Sequence, residues 1–333
     1  MENEKKIKIK LPKEIWLLII LIAVSVSFGI GNKTFFSAEN LLDLLKSSSV
    51  VGICALGMTF VAMTGGIDLS VSAVIGCAAS TIGNFMYYVT NSFFNNVIFV
   101  FLISVLVGAI LGAINGLLIG KLKIPPIVAT LGTLAVFKGV LFLITKGSWV
   151  ERFKLPEWLK SLSIFTVAGI PIQVIIFVVL IIFCWLIMKF TTFGRSVYAI
   201  GGSHISAMRI GINVDRIILY VYIVMGVLTG IASFAHTTIM VGVDPNSFVG
   251  LEFKVIGAVF IGGIAMTGGR GSIFGAVIGV LLLKVISNGM VITRIPIFWH
   301  QVVTGAVILA AISFDIIQRK RFESRLLKID VAE

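Results

Sequence analysis

Val97–Ile119 reads VIFVFLISVLVGAILGAINGLLI and contains no charged residue. A helix needs about 20 mostly apolar residues to cross the hydrocarbon layer of a bilayer, so this stretch predicts a membrane span and sets the fold class. Gly108, Gly112 and Gly116 recur at every fourth position, and Gly120 continues the series. Residues four apart share one helix face, and glycine there lets a neighbouring backbone come close. The stripe predicts either tight static packing or a sliding interface. Asn115 lies within the span and is a candidate for lining a polar pathway, because an amide in hydrocarbon needs a partner.

The rest of the chain agrees. Of its 333 residues 58% are apolar and 13% charged, and mean hydropathy is +1.09. A soluble domain carries about 25% charged residues. About ten spans are expected: Ile15–Ile30, Ser47–Met63, Val71–Val89, Val97–Ile119, Ile127–Ile144, Ile172–Met188, Ile217–Met240, Val255–Met266, Ile273–Ile292 and Ile297–Ile317. The eighth is short enough to be broken or to reach part way. Ten crossings put both termini on one side. With the N-terminus in the cytoplasm, about two thirds of the 27 Lys and Arg residues fall inside, as the positive-inside rule requires. The net charge of +12 is thereby explained without nucleic acid. The expected organisation is all-α and polytopic: a basic cytoplasmic N-terminus (1–14), one transmembrane domain (15–317) with a cytoplasmic loop at 189–216, and a basic cytoplasmic tail (318–333). The N-terminus has the look of a secretion signal, but further spans follow it, so an uncleaved first helix is expected. Cys54, Cys77 and Cys184 lie in apolar runs without ligand spacing and read as small core residues.

Two connections stand out. Residues 145–171 mix both signs of charge with Trp149 and Trp158, which suits a solvated outer surface that meets another protein. In the loop 189–216, Ser203 through Ile210 predicts a short helix, with Ser203 as its cap and Gly211 as its stop. Ala62-Met63-Thr64-Gly65-Gly66 recurs as Ala265-Met266-Thr267-Gly268-Gly269. Each copy breaks a span ahead of another small-residue helix, and transporters place such breaks near the substrate path. Asp68 follows the first break and is expected to cap the helix beginning near Leu69. Lys138 and Lys284 sit inside spans, where an ammonium costs at least about 2.5 kcal/mol unless it faces water or a partner. Each either lines a polar passage, with Thr130 and Asn288 nearby, or snorkels or forms an ion pair. Helical spacing puts Thr130 near the face of Lys138 and turns Thr133 sideways. His236 and His300 lie near the outer span ends. No Walker A sequence occurs, so the chain is not expected to hydrolyse ATP.

Several blocks resemble ribose-type ABC transporter permeases. They are Met58–Val71 (MTFVAMTGGIDLSV), Thr130-Leu131-Gly132-Thr133 with Lys138-Gly139, Thr192-Phe193-Gly194-Arg195 through Tyr198–Gly202, Gly211–Val214, Ile261–Gly263, Gly268–Ser272, Asn288-Gly289 and Phe298-Trp299. They keep the family's order over nearly the whole chain. Lys254 stands where the family usually carries an acid, and Lys284 where a small residue is usual. The resemblance implies a multi-pass permease of a bacterial plasma (inner) membrane that pairs with a second copy or a sibling. ABC ATPase subunits would bind ATP and dock on its cytoplasmic side, while an extracytoplasmic binding protein would deliver ribose, a related sugar or autoinducer-2. No cofactor is expected on this chain. Coupling to the ATPase maps to Gly194, Arg195, Ser203, Ala207, Met208, Arg209 and Gly211. The alternative is an ion-driven secondary transporter, which would work alone and use intramembrane acids.

Overall fold

The structure, a computed structural model, describes residues 13–90, 93–296, 298–310, 313 and 317. The expected tail 318–333 and all but the end of the N-terminal segment 1–14 lie outside the described residues. Helix α1 (Lys13–Gly31) is continuous and turns Trp16, Ile19, Ile20 and Ile22 outward. That apolar exposure is costly in water and neutral in lipid. The Asn32 side chain accepts from Thr34 N–H and that of Ser37 from Asn40 N–H, so a tight turn at Lys33–Phe36 hands the chain to α2 (Ala38–Met63). α2 begins well before the expected Ser47. Its polar first turns hide it from a hydropathy scan, but the Ser37 cap sets its start.

α3 (Val71–Tyr88) and α4 (Val97–Gly116) follow, and a π-helical turn (Leu117–Lys121) extends α4 to the end of its glycine series. Next come α5 (Pro126–Thr145) and the short α6 (Glu157–Ile164). Strands β1 (Thr166–Val167) and β2 (Ile170–Pro171) pair antiparallel, with Thr166 opposite Pro171. The expected loop 145–171 is therefore largely structured, and its hairpin qualifies the all-α reading. α7 (Ile172–Phe190), α8 (Thr192–Gly202), α9 (His204–Arg209), α10 (Val214–Met240), α11 (Leu251–Ile261), α12 (Ile273–Ile292) and α13 (Phe298–Ala310) complete the described helices.

Seven of these helices are long and apolar enough to cross a membrane: α1, α2, α4 with its π turn, α5, α7, α10 and α12. α3 has 18 residues but carries Ser72, Ser80, Thr81 and Asn84. The span expected at Val255–Met266 is an 11-residue helix, α11, roughly 16 Å long at 1.5 Å per residue, about half a bilayer. Gly262 ends it.

α2 is the central helix: 83% of its most apolar window is buried, against 22% for α4. α4 buries a single seam against α10. A Cβ on Gly108 or Gly112 would overlap the backbone carbonyl of Gly226 or Tyr222, and one on Gly116 or Gly120 would lie 2.8 Å from Leu219 O or 2.7 Å from Asp215 O. The backbones touch along the whole stripe, as close packing requires. Gly275 and Gly279 of α12 meet Gly262 and Ala258 of α11 in the same way. All three cysteines are free and buried.

Candidate functional site

The buried polar groups converge at the break between α2 and α3. Thr133 Oγ1 donates to Asn115 Oδ1 (2.7 Å), Asn115 Nδ2 donates to Ser70 Oγ (2.7 Å), and Ser70 Oγ donates to Asp68 Oδ1 (2.6 Å). Ser70 N–H also donates to Asp68 Oδ1 (2.8 Å). This one-way relay crosses α5, α4 and the break and ends on a carboxylate. Asn115 and Ser70 are fully buried and Asp68 is 2% exposed. Such a network is stable inside a membrane because every donor in it finds an acceptor. Asp68 is not the helix cap expected: α3 begins at Val71 with Ser70 as its N-cap and no side-chain cap bond; Asp68 instead fixes the turn ahead of α3 by accepting from Ser70. Thr130 Oγ1 donates to Pro126 O (2.8 Å) and reaches Ile67 O (3.2 Å), fastening α5 to the same break.

One face of α5, comprising Thr130, Thr133, Phe137 and Leu141, is buried, while Lys138 is exposed. The expected grouping of Lys138 with Thr130, and of Thr133 apart, is therefore reversed. Thr130 and Thr133 are three apart and share a face; Lys138 lies about 100° from Phe137, on the open side. The Tyr222 hydroxyl was not anticipated. It is buried without a hydrogen-bond partner, next to Gly66. Nothing in the sequence separates it from Tyr220, the other phenol of the same span.

The two Thr-Gly-Gly breaks meet in space. Gly269 N–H donates to Met63 O (2.9 Å), and Gly268 packs on Gly65 N and Met63 O. Gly201, near the end of α8, fits against Met63 O and Gly269, where a Cβ would overlap both. Gly65, Gly268 and Gly269 have φ of 80°, 84° and 71°, a backbone region costly for other residues. Tyr198 adds a bond from its hydroxyl to Gly271 O (3.2 Å), and burial raises its phenol above the ordinary pKa.

The expected helix in the 189–216 loop is present as α9. The Ser203 side chain accepts from Ser206 N–H (3.2 Å), and Gly211 has φ of 85°. Ala207 is buried in a small cluster with Ile200 and Val214. Ile205, Met208, Arg209 and Ile210 are exposed. Gly194 is buried where a Cβ would strike the Ile187 and Met188 carbonyls, and Arg195 is exposed. Of the candidate coupling residues, Ala207 and Gly194 thus hold the loop together, while Met208, Arg209 and Arg195 face outward.

Asn288 exchanges two hydrogen bonds with Asn40 (3.1 and 2.8 Å) and so ties α12 to α2. Gly262 meets Gly275 and Ala258 meets Gly279. Continuing this antiparallel step brings Lys254 about level with Lys284. The His236 Nδ1 is buried without a hydrogen-bond partner among the described residues. No group of three His, Cys, Asp or Glu side chains suited to a metal occurs among the described residues.

Interrupted helices around a buried polar network, joined to a structured loop and surrounded by lipid-facing helices, define a multi-pass transport permease. The family model for the permease component of branched-chain amino acid transport systems matches residues 40–312, and the chain belongs to this family of ABC-importer permeases in the bacterial inner membrane. Among curated relatives, the autoinducer 2 import system permease protein LsrC of Yersinia pseudotuberculosis (serotype O:1b, strain IP 31758) is 35% identical over 302 residues, covering 90% of this chain and 83% of the relative. The same-named protein of Yersinia pestis (strain Pestoides F) is 34% identical over the same lengths. No solved structure matches significantly.

Proposed function

We propose that the chain is the membrane subunit of an ABC importer for a small hydroxylated solute, a sugar or an autoinducer-2-like molecule, driven by separate ATPase subunits and supplied by an extracytoplasmic binding protein. The single observation that carries this reading is the packing of Gly201 on both Thr-Gly-Gly breaks. The loop that would meet an ATPase is thereby fastened to the interrupted helices beside the polar network, so a push on α9 reaches the membrane core through backbone contact. Kinship with the two import permeases supports the class of solute.

In this reading there are ten crossings with α11 as a partial one, both termini are cytoplasmic, and two permeases enclose the passage. Asn115, Thr130 and Asn288 brace the helices. Lys284 and the exposed side of α5 with Lys138 line the passage, and Met208 and Arg209 face the ATPase. Reconstitution into proteoliposomes tests the proposal. Uptake that needs ATP, the partner ATPase and the binding protein together is expected; uptake by this chain alone on an ion gradient would overturn it.

A further inference from the structure

A cavity of about 500 Å³ lies where the end of α7, α8 and the start of α12 meet. Trp185 and Phe274 form its apolar wall, with ring centroids 5.9 Å apart. Lys189 and Arg195 are its cationic lining residues, and Met188, Tyr198, Ser272 and Ile273 complete the lining. Lys189 Nζ sits 4.9 Å from the centre of the Trp185 ring, which holds the ammonium at the cavity without neutralising it. Neither cation forms an ion pair among the described residues. Glu14 Oε1 accepts from Ser272 Oγ (2.9 Å), so one carboxylate stands against the two cations at the cavity. The 20-residue helix α12 begins here, adding the positive end of its dipole.

Earlier on the same helix α7, Val179, Ile182, Phe183 and Leu186 are all exposed at the three- and four-residue steps of an apolar stripe. Cationic lining, aromatic wall and apolar stripe occur in the order in which a lipid presents headgroup, glycerol and acyl chain. Basic pockets between membrane helices are suited to anionic headgroups, and a free phosphate would leave the apolar stripe unused.

We propose that this cavity is a binding site for an anionic phospholipid, whose phosphate lies between Lys189 and Arg195 and whose chains run along α7. The site adjoins α8, so an occupied cavity would brace the helix that carries Gly201 onto the breaks. Only the leaflet, the cytoplasmic one, depends on the proposed orientation; the lipid contact does not depend on the solute or on transport.

The test is native mass spectrometry of the full-length chain, purified in detergent and offered equal amounts of dioleoylphosphatidylglycerol and dioleoylphosphatidylcholine. Preferential retention of phosphatidylglycerol is expected, falling roughly fivefold for each cation removed in K189Q and K189Q/R195Q. K189R/R195K should restore it. Equal retention of the two lipids, an unchanged preference in K189Q/R195Q, or loss of bound lipid whenever two copies of the chain pair would overturn the proposal. Thermal unfolding of each variant separates lost binding from lost folding.

Discussion

Asn115 is the residue on which the buried relay turns, since it accepts from Thr133 and donates to Ser70. Asn115→Leu removes both contacts, although Ser70 Oγ keeps Asp68 and Thr133 Oγ1 keeps Thr130 O (3.3 Å). The expected loss is about 0.5–1.5 kcal/mol for each hydrogen bond removed, read as a lower midpoint of unfolding in denaturing detergent. Thr133→Val deletes a single donor and should cost less, about 1 kcal/mol; an Asn115→Leu protein as stable as the parent would show that the relay does not brace the break. Lys138 is a contrasting case. It is exposed, so Lys138→Met should leave folded yield unchanged and lower uptake per assembled complex. An unchanged rate would remove Lys138 from the passage. Spacing along α5 made Lys138 and Thr130 look like neighbours, but a helical wheel knows only angles. Which angle is buried depends on α4 and the break, and neither is local in sequence.

At the scale of elements, the α4–α10 seam and α9 make opposite demands. Gly112 lies against Tyr222 O and Gly226, and Gly112→Leu forces the two helices apart. Overpacking of this kind costs about 1–3 kcal/mol or more, so folded yield in membranes should fall sharply. Leu106, exposed on the same helix, should accept alanine with little loss. On α9, the exposed pair Ile205 and Met208 suits partner contact, while Ala207 is buried. I205E/M208E should therefore keep the permease folded but lower co-purification of the ATPase at least tenfold, through charges buried without partners at the contact. Ala207→Glu should instead lower folded yield. If A207E folds normally and loses only the ATPase, the assignment of the two faces is reversed. The cap at Ser203 and the stop at Gly211 were legible because each acts within a few residues. The inward role of Ala207 was not, because Ile200 and Val214, against which it packs, belong to two other helices.

For the whole molecule, the proposed orientation separates two surfaces. One carries α9; the other carries α6 and the hairpin, anchored by Lys46 Nζ on Ser163 O (2.9 Å) and by the bridge between Val150 and Val243. The native cysteines are buried and free, so they give little background labelling. A cysteine at Glu157, whose side chain is 85% exposed, should react with an impermeant maleimide on intact cells. One at Met208, 56% exposed, should react only after the membrane is opened. The reverse pattern would invert the topology and move the ATPase to the other surface.

Composition and unbroken apolar runs by themselves determined that this chain lives in a membrane and roughly where its helices lie, because a bilayer imposes length and apolarity on each segment separately. The glycine stripe and the repeated Thr-Gly-Gly were also visible in one dimension. Only the tertiary structure decided that the stripe meets α10, that the two breaks touch each other with Gly201 between them, and that α11 spans about half of the bilayer's thickness. Those outcomes depend on backbones far apart in sequence coming within hydrogen-bond distance, and on which polar groups then find partners. Within the membrane, hydrophobicity sends helices into the lipid but does not choose their neighbours; close packing and buried hydrogen bonds make that choice.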